Sequence, residues 1–208
     1  IQTYLSANAW LEVKSGYVAV FARDGVVAHT TTAGYADIES QEPMAIDTRF
    51  RMASMTKPVT AVAALILVED GRLHLDDPVE QYIPAAAQLR VATSANFDDK
   101  GNIPTEPLSR PVSVRDLLNF RSGIGSKHDS SDLGELWGKQ DIYAGKGSLE
   151  DRIDRILTAP LYEQPGTKWR YGWSADVLAR VVEVAADMPF DEFLRQRIFL
   201  PLGMQHTS

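Results

Sequence analysis

The spacing of apolar residues changes along this chain, strand-like near the start and helix-like afterwards. Residues 17–22 form a β-rich apolar run, Arg23-Asp24-Gly25 interrupts it, and residues 26–32 resume it. That pattern predicts a β-hairpin. Residues 2–14 ahead of it read as a short amphipathic helix ending near Gly16. Residues 34–47 behind it read as a polar connection. Residues 59–68 are almost wholly apolar and predict a buried helix that stops at Gly71, a residue suited to a helix C-cap. Asp76-Asp77-Pro78 opens a further short helix toward Ile83. Residues 85–111 lack periodicity and predict a long surface loop, of the kind that often walls an active site. Ser113 followed three residues later by Asp116 caps a helix through Phe120. Residues 122–147 are rich in glycine and serine. Residues 149–158, 175–186 and 190–199 carry helical apolar spacing.

Composition narrows the function classes. The 208 residues are 44% hydrophobic and 24% charged, which suits one soluble domain or two small ones with a real core. The net charge of −7 argues against nucleic acid and anionic membranes as partners. Cysteine is absent, so disulfides, thiol catalysis and cysteine-ligated zinc are excluded, while the compartment stays open. The longest apolar run, residues 61–68, is far too short for a membrane span.

The strongest chemical signal is Ser54-Met55-Thr56-Lys57, an S-x-x-K motif at the start of the apolar helix. Residues three apart on a helix share a face, which brings the Lys57 amine within reach of the Ser54 hydroxyl. A serine needs a neighbouring base to act as a nucleophile, and a lysine amine serves when its surroundings favour the neutral form. A helix start also offers unpartnered backbone N–H groups and a positive field to an oxyanion. Pro58 fits this placement, since proline is tolerated in the first turn.

Residues 47–58, DTRFRMASMTKP, resemble the nucleophile region of the serine β-lactamase-like superfamily, in particular family VIII carboxylesterases and class C β-lactamases. Residues 165–183, PGTKWRYGWSADVLARVVE, resemble the tyrosine region of the same superfamily. Gly34-Tyr35-Ala36-Asp37, SVRDLLNFRSGIG at 113–125 and FLPLGMQHTS at 199–208 appear in the superfamily's order. The resemblance covers most of the chain. It implies an α/β (α+β) fold of the β-lactamase/transpeptidase type, an antiparallel sheet flanked by helices plus a mostly helical domain. Residues 1–48 would then be the N-terminal portion of the sheet domain, and residues 49–208 the helical domain. It also implies Ser54 as nucleophile, with Lys57 and Tyr171 as the base, and no metal or organic cofactor. By the residue alone, Tyr171 would equally be a packed aromatic beside Trp169 and Trp173.

Three departures from the superfamily pattern matter. Trp173 stands where β-lactamases carry asparagine, and an indole with one donor and a large apolar face suits the acyl or alcohol group of an ester. Trp173 is therefore the candidate substrate-binding residue. Asn119-Phe120-Arg121-Ser122-Gly123 replaces the usual H-T-S-G, and nothing in the sequence accounts for Phe120 or Arg121. The superfamily's third motif lies beyond the P-L-G-M segment. The expectation is that the C-terminal part of the sheet is missing here, and that a further segment or a second chain completes the fold.

The function expected is a serine hydrolase that cleaves small-molecule carboxylic esters through an acyl-enzyme. The alternatives within enzymes are a β-lactamase, a D-amino-acid peptidase or an acyltransferase. The alternative outside enzymes is a ligand-binding or scaffold descendant. His29, His74, His128 and His206 show no ligand spacing, although triads are not local in sequence and a Ser-His-Asp arrangement stays open. Gly145-Lys146-Gly147-Ser148 lacks the spacing of a phosphate loop and is rejected as one.

Overall fold

The computed structural model describes residues 2–10, 14–126, 130–140 and 147–208. His128, Gly145 and Lys146 lie outside the described residues. The chain divides into two compact units, Ile1–Met52 and Ala53–Ser208.

In the first unit, helix α1 (Gln2–Trp10) precedes strands β1 (Gly16–Arg23) and β2 (Val26–Asp37). The two strands pair antiparallel, from Gly16 opposite Gly34 to Arg23 opposite Val26, with a bulge at Phe21/Ala22. Asp24 (φ 52°) and Gly25 (φ 77°) make the two-residue turn. Positive φ at both positions matches the strand twist, which is why Asp-Gly serves there. β2 runs further than the predicted hairpin arm and pairs through Tyr35 and Asp37 with a two-residue strand β3 (Glu42–Pro43). Part of the stretch read as a polar connection is therefore sheet. Its alternation is masked because only Met44 among its apolar side chains is buried.

The second unit is a helical assembly around α6 (Ser174–Ala186). Ala175, Val177, Leu178, Ala179, Val181, Val182 and Ala186 are buried along it, so it is apolar on most of its circumference, as a central helix must be. Helices α2 (Thr56–Glu69), α3 (Val114–Leu118), α5 (Leu149–Ile156) and α7 (Phe190–Leu194) pack against it. Helix α2 ends as its glycine predicts: Arg72 N–H bonds Leu67 O at 2.9 Å and Gly71 N–H bonds Val68 O at 3.1 Å, a Schellman closure. It buries Thr60, Ala63, Ala64 and Leu67 but leaves Val62 and Leu65 exposed, so the run is buried on one face rather than all round.

Two segments read as loops hold regular structure. Within 85–111, a 3₁₀ turn (Pro84–Gln88) leads into β4 (Arg90–Ala92), which pairs antiparallel with β5 (Thr105–Pro107). Three-residue strands are too short for periodicity to reveal. Within 122–147, helix α4 (Asp132–Lys139) buries Leu133 and Trp137, and the indole N–H donates to Pro160 O at 3.0 Å. Its two glycines weaken the helical signal. Ser148, rejected as part of a phosphate loop, is the N-cap of α5. Helix α7 continues into a π-helical turn, Arg195–Phe199.

Candidate active site

Ser54 lies in a 3₁₀ turn, Ala53–Met55, that runs directly into α2. Ala53 before it has φ 45°, a left-handed conformation that a residue with a Cβ adopts at some cost. The strain sits one residue from the candidate nucleophile. Ser54 Oγ is 2.8 Å from Tyr171 Oη, and Lys57 Nζ donates to the same Oγ at 3.0 Å. The lysine nitrogen also stands 5.0 Å from the centroid of the Tyr171 ring. Three predicted site residues, 117 positions apart at the extremes, thus meet around one hydroxyl.

The environment acts on the tyrosine. The hydrogen bond from Lys57, then that from Ser54, holds the Tyr171 phenol below its usual value of 10.0. Burial and the charge of Asp176 oppose the shift without cancelling it. A phenol so shifted is a better proton acceptor near neutrality than a free one.

Tyr171 is held by the segment 120–125. Arg170 N–H bonds Phe120 O at 2.8 Å, Tyr162 N–H bonds Gly123 O at 2.9 Å, and Trp173 N–H bonds Gly125 O at 3.2 Å. The hydroxyls of Ser122 and Ser174, both fully buried, bond each other at 2.9 Å. The Phe120 ring stacks on Tyr171 with centroids 5.8 Å apart and planes within 7°. That contact gives the unexplained Phe120 a place: it covers one face of the tyrosine. Arg121 contributes its backbone, accepting from Gly166 N–H at 2.7 Å and donating to Asp116 O at 2.8 Å, while its side chain is exposed. Arg170, next to the tyrosine, donates from Nε to Glu163 Oε2 at 2.8 Å and from Nη2 to Glu163 Oε1 at 2.5 Å, and lies 3.9 Å over the Tyr162 ring.

Gly172 completes this clamp. A Cβ there would meet Ile124 O and would stand 2.6 Å from Gly125 O, so the backbone itself would have to move. Gly172→Ala is expected to displace Tyr171 and lower kcat by about a hundredfold, the scale of an ångström-sized misplacement. Ester kinetics on the folded variant check this; activity within about twofold of the parent would show that the clamp does not position the tyrosine.

Trp173 is placed differently from Tyr171. It is the N-cap residue of α6, and its side chain is partly buried against the hydrophobic core. Asp176, which the sequence reading passed over, is partly buried in the first turn of α6, and its carboxyl is pushed up to about 6 by burial against the opposing effect of Lys57. Asp98 Oδ1 closes a turn, accepting from Lys100 N–H at 2.9 Å and from Asn102 N–H at 2.8 Å. Among the described residues no group of three histidine, aspartate or glutamate side chains could hold a metal ion, and no helix is long and apolar enough to cross a membrane.

Comparison with known proteins decides the family. The profile of the family described as Beta-lactamase matches residues 12–208. The chain belongs to the β-lactamase family. Esterase EstB of Burkholderia gladioli is 34% identical over 198 residues, covering 91% of this chain and 46% of the relative. Lovastatin esterase of Penicillium rubens is 36% identical over 169 residues, covering 81% of this chain and 41% of the relative. Among solved structures, EstCE1, described as a hydrolase with promiscuous acyltransferase activity, matches with a TM-score of 0.77 at 28% identity. That match covers 97% of this chain and 50% of EstCE1. The chain spans about half the length of these relatives. Its fold is of the β-lactamase/transpeptidase type, as the order of motifs implies, and the β-lactamase-like relatives include esterases and a hydrolase with acyltransferase activity.

Proposed function

We propose that this chain carries the reacting groups of a serine hydrolase that cleaves carboxylic esters through an acyl-enzyme. The observation that supports it is the hydrogen-bonded set in which Ser54 Oγ is 2.8 Å from Tyr171 Oη and 3.0 Å from Lys57 Nζ. Ser54 Oγ attacks the ester carbonyl carbon while Tyr171, kept acidic by Lys57, takes its proton. The carbonyl electrons move onto oxygen, and the Ser54 N–H at the helix start faces that charge. When the tetrahedral adduct collapses, the C–O bond to the alcohol breaks and the alcohol leaves with the proton from Tyr171. Water then enters, gives its proton to the same tyrosine and attacks the acyl carbon; as the second adduct collapses, the bond to Ser54 Oγ breaks, Tyr171 returns the proton to that oxygen, and the acid leaves.

The ester preference draws on two sources. EstB and lovastatin esterase are relatives named for ester cleavage. Trp173 in place of the amide side chain of β-lactamases removes a hydrogen-bonding partner for β-lactam amides, and its ring would add apolar wall to the acyl or alcohol site. An alcohol in place of water at the second step would make the same centre an acyltransferase, and the description of EstCE1 favours keeping that reading second.

The test is a side-by-side assay of nitrophenyl esters and a chromogenic cephalosporin with the full-length protein. Esters are expected to turn over at least about tenfold faster in kcat/KM, the discrimination that a changed pocket contact supplies. Cephalosporin hydrolysis matching or exceeding ester hydrolysis would replace the esterase reading by a β-lactamase one.

A further inference from the structure

Helices α2 and α3 end in the same way. The Schellman closure of α2 has Gly71 after the C-cap, at φ 69°. At the end of α3, whose C-cap is Asn119, Arg121 N–H bonds Asp116 O at 2.8 Å and Phe120 N–H bonds Leu117 O at 3.2 Å. That is the same pair of bonds, and it puts Phe120 in the left-handed region at φ 54°. Glycine enters this region without steric cost, whereas a bulky aromatic is a rare occupant. The closure is made by backbone groups alone and gains nothing from a ring. The phenylalanine therefore answers to something other than ending the helix.

The turn aims its side chain at the candidate base. The Phe120 ring lies nearly parallel to that of Tyr171, with centroids 5.8 Å apart and planes within 7°, the offset stack that aromatic pairs prefer. Trp169 joins the group, its centroid 6.3 Å from Phe120 and 6.4 Å from Tyr171. The turn is pinned to the chain that carries the tyrosine. Phe120 O accepts from Arg170 N–H at 2.8 Å, and Arg121 O accepts from Gly166 N–H at 2.7 Å.

Tyr171 has use for such a contact. It is 41% exposed, so burial in the core does not hold its side chain. The clamp at Gly172 fixes its backbone and leaves its side-chain torsions free. Rotation about the ring axis turns the plane without moving Oη. Rotation about Cα–Cβ swings Oη away from Ser54 Oγ, which it meets at 2.8 Å. A flat ring stacked on one face of the tyrosine blocks that swing on its own side.

We propose that Phe120 is a positioning residue: its ring, placed by the left-handed end of α3, holds the Tyr171 side chain so that the hydroxyl stays in hydrogen-bond reach of Ser54. The inference rests on Ser54, Lys57 and Tyr171 being the reacting set. Acting through the tyrosine, Phe120 serves acylation and deacylation alike, so its loss falls on kcat and leaves KM in place. Its effect also depends on the Tyr171 hydroxyl being there to position.

The experiment measures kcat and KM for nitrophenyl acetate in the full-length protein, comparing wild type with Phe120→Gly, Phe120→Tyr, Tyr171→Phe and the double variant Phe120→Gly/Tyr171→Phe. Phe120→Gly keeps the helix closure, because glycine suits the left-handed position, and removes only the ring. It is expected to lower kcat about tenfold with KM within about twofold, a fraction of what a full ångström of misplacement costs. Phe120→Tyr keeps a stacking ring and is expected to hold kcat within about threefold of wild type. In the Tyr171→Phe background, Phe120→Gly is expected to change kcat by less than about twofold, because the group it positions is gone. If Phe120→Gly does not fold, Phe120→Asn, whose short side chain tolerates the left-handed region, removes the ring and is read in the same way. Three results would each overturn the proposal: Phe120→Gly within about twofold of wild type, its loss persisting in Tyr171→Phe, or no recovery in Phe120→Tyr. A strongly impaired Tyr171→Phe would leave the reacting set standing in each of those cases. A fully active Tyr171→Phe would overturn both.

Discussion

Ser54→Ala is expected to lower kcat for an activated ester by about three orders of magnitude or more, the scale seen when an enzyme loses its nucleophile. The loss should be separable from misfolding. Ser54 is exposed, and its Oγ touches Tyr171 and Lys57 rather than the core. A substitution at such a position typically changes stability by no more than about 0.5 kcal/mol. The melting temperature of Ser54→Ala should therefore match the parent while activity disappears. Retained turnover would mean that a different residue attacks the substrate.

Tyr171→Phe carries the second large effect. The variant keeps the ring that stacks on Phe120 and lies beside the Lys57 nitrogen, and it removes only the hydroxyl 2.8 Å from Ser54. Loss of a general base lowers kcat by about a hundredfold or more. The pH profile gives the sharper reading. In the parent, activity is expected to rise with pH as the phenol, its pKa lowered first by Lys57 and then by Ser54, loses its proton. Tyr171→Phe should lose that rising limb along with the rate. A variant within about twofold of wild type, with the limb intact, would return Tyr171 to the role of a packed aromatic.

The parts of this site that were legible in the sequence are the local ones. Ser54 and Lys57 are three residues apart at a helix start, so helical geometry alone brings them together. Tyr171 lies 117 residues from Ser54, and no periodicity links them; only the resemblance of residues 165–183 to a known tyrosine region did. The scaffold around the tyrosine was not legible. Phe120 adopts φ 54° and stacks on Tyr171, a conformation and contact fixed by the chain folding back through Arg170 N–H to Phe120 O. Asp176 was readable in principle. Ser113…Asp116 signals a capping box, and Trp173…Asp176 has the same spacing with an N-cap that cannot close one. Among the secondary elements, β4, β5 and the short β3 escaped because two or three residues hold too little pattern. Helix α4 escaped because its burial rests on Leu133 and Trp137 amid glycine and charge.

The central claim is that Ser54 becomes acylated, and trapping the adduct tests it most directly. The full-length protein is mixed with excess nitrophenyl ester, quenched in acid at early times, digested and weighed by mass spectrometry. The expected result is the mass of the acyl group on the peptide containing Ser54, appearing before steady turnover and lost as the ester is consumed. Slower loss of that adduct in Tyr171→Phe would follow from the same chemistry, since the tyrosine also assists the attacking water. An acyl group found on another residue, or ester hydrolysis with no acylated Ser54 at any time point, would contradict the mechanism.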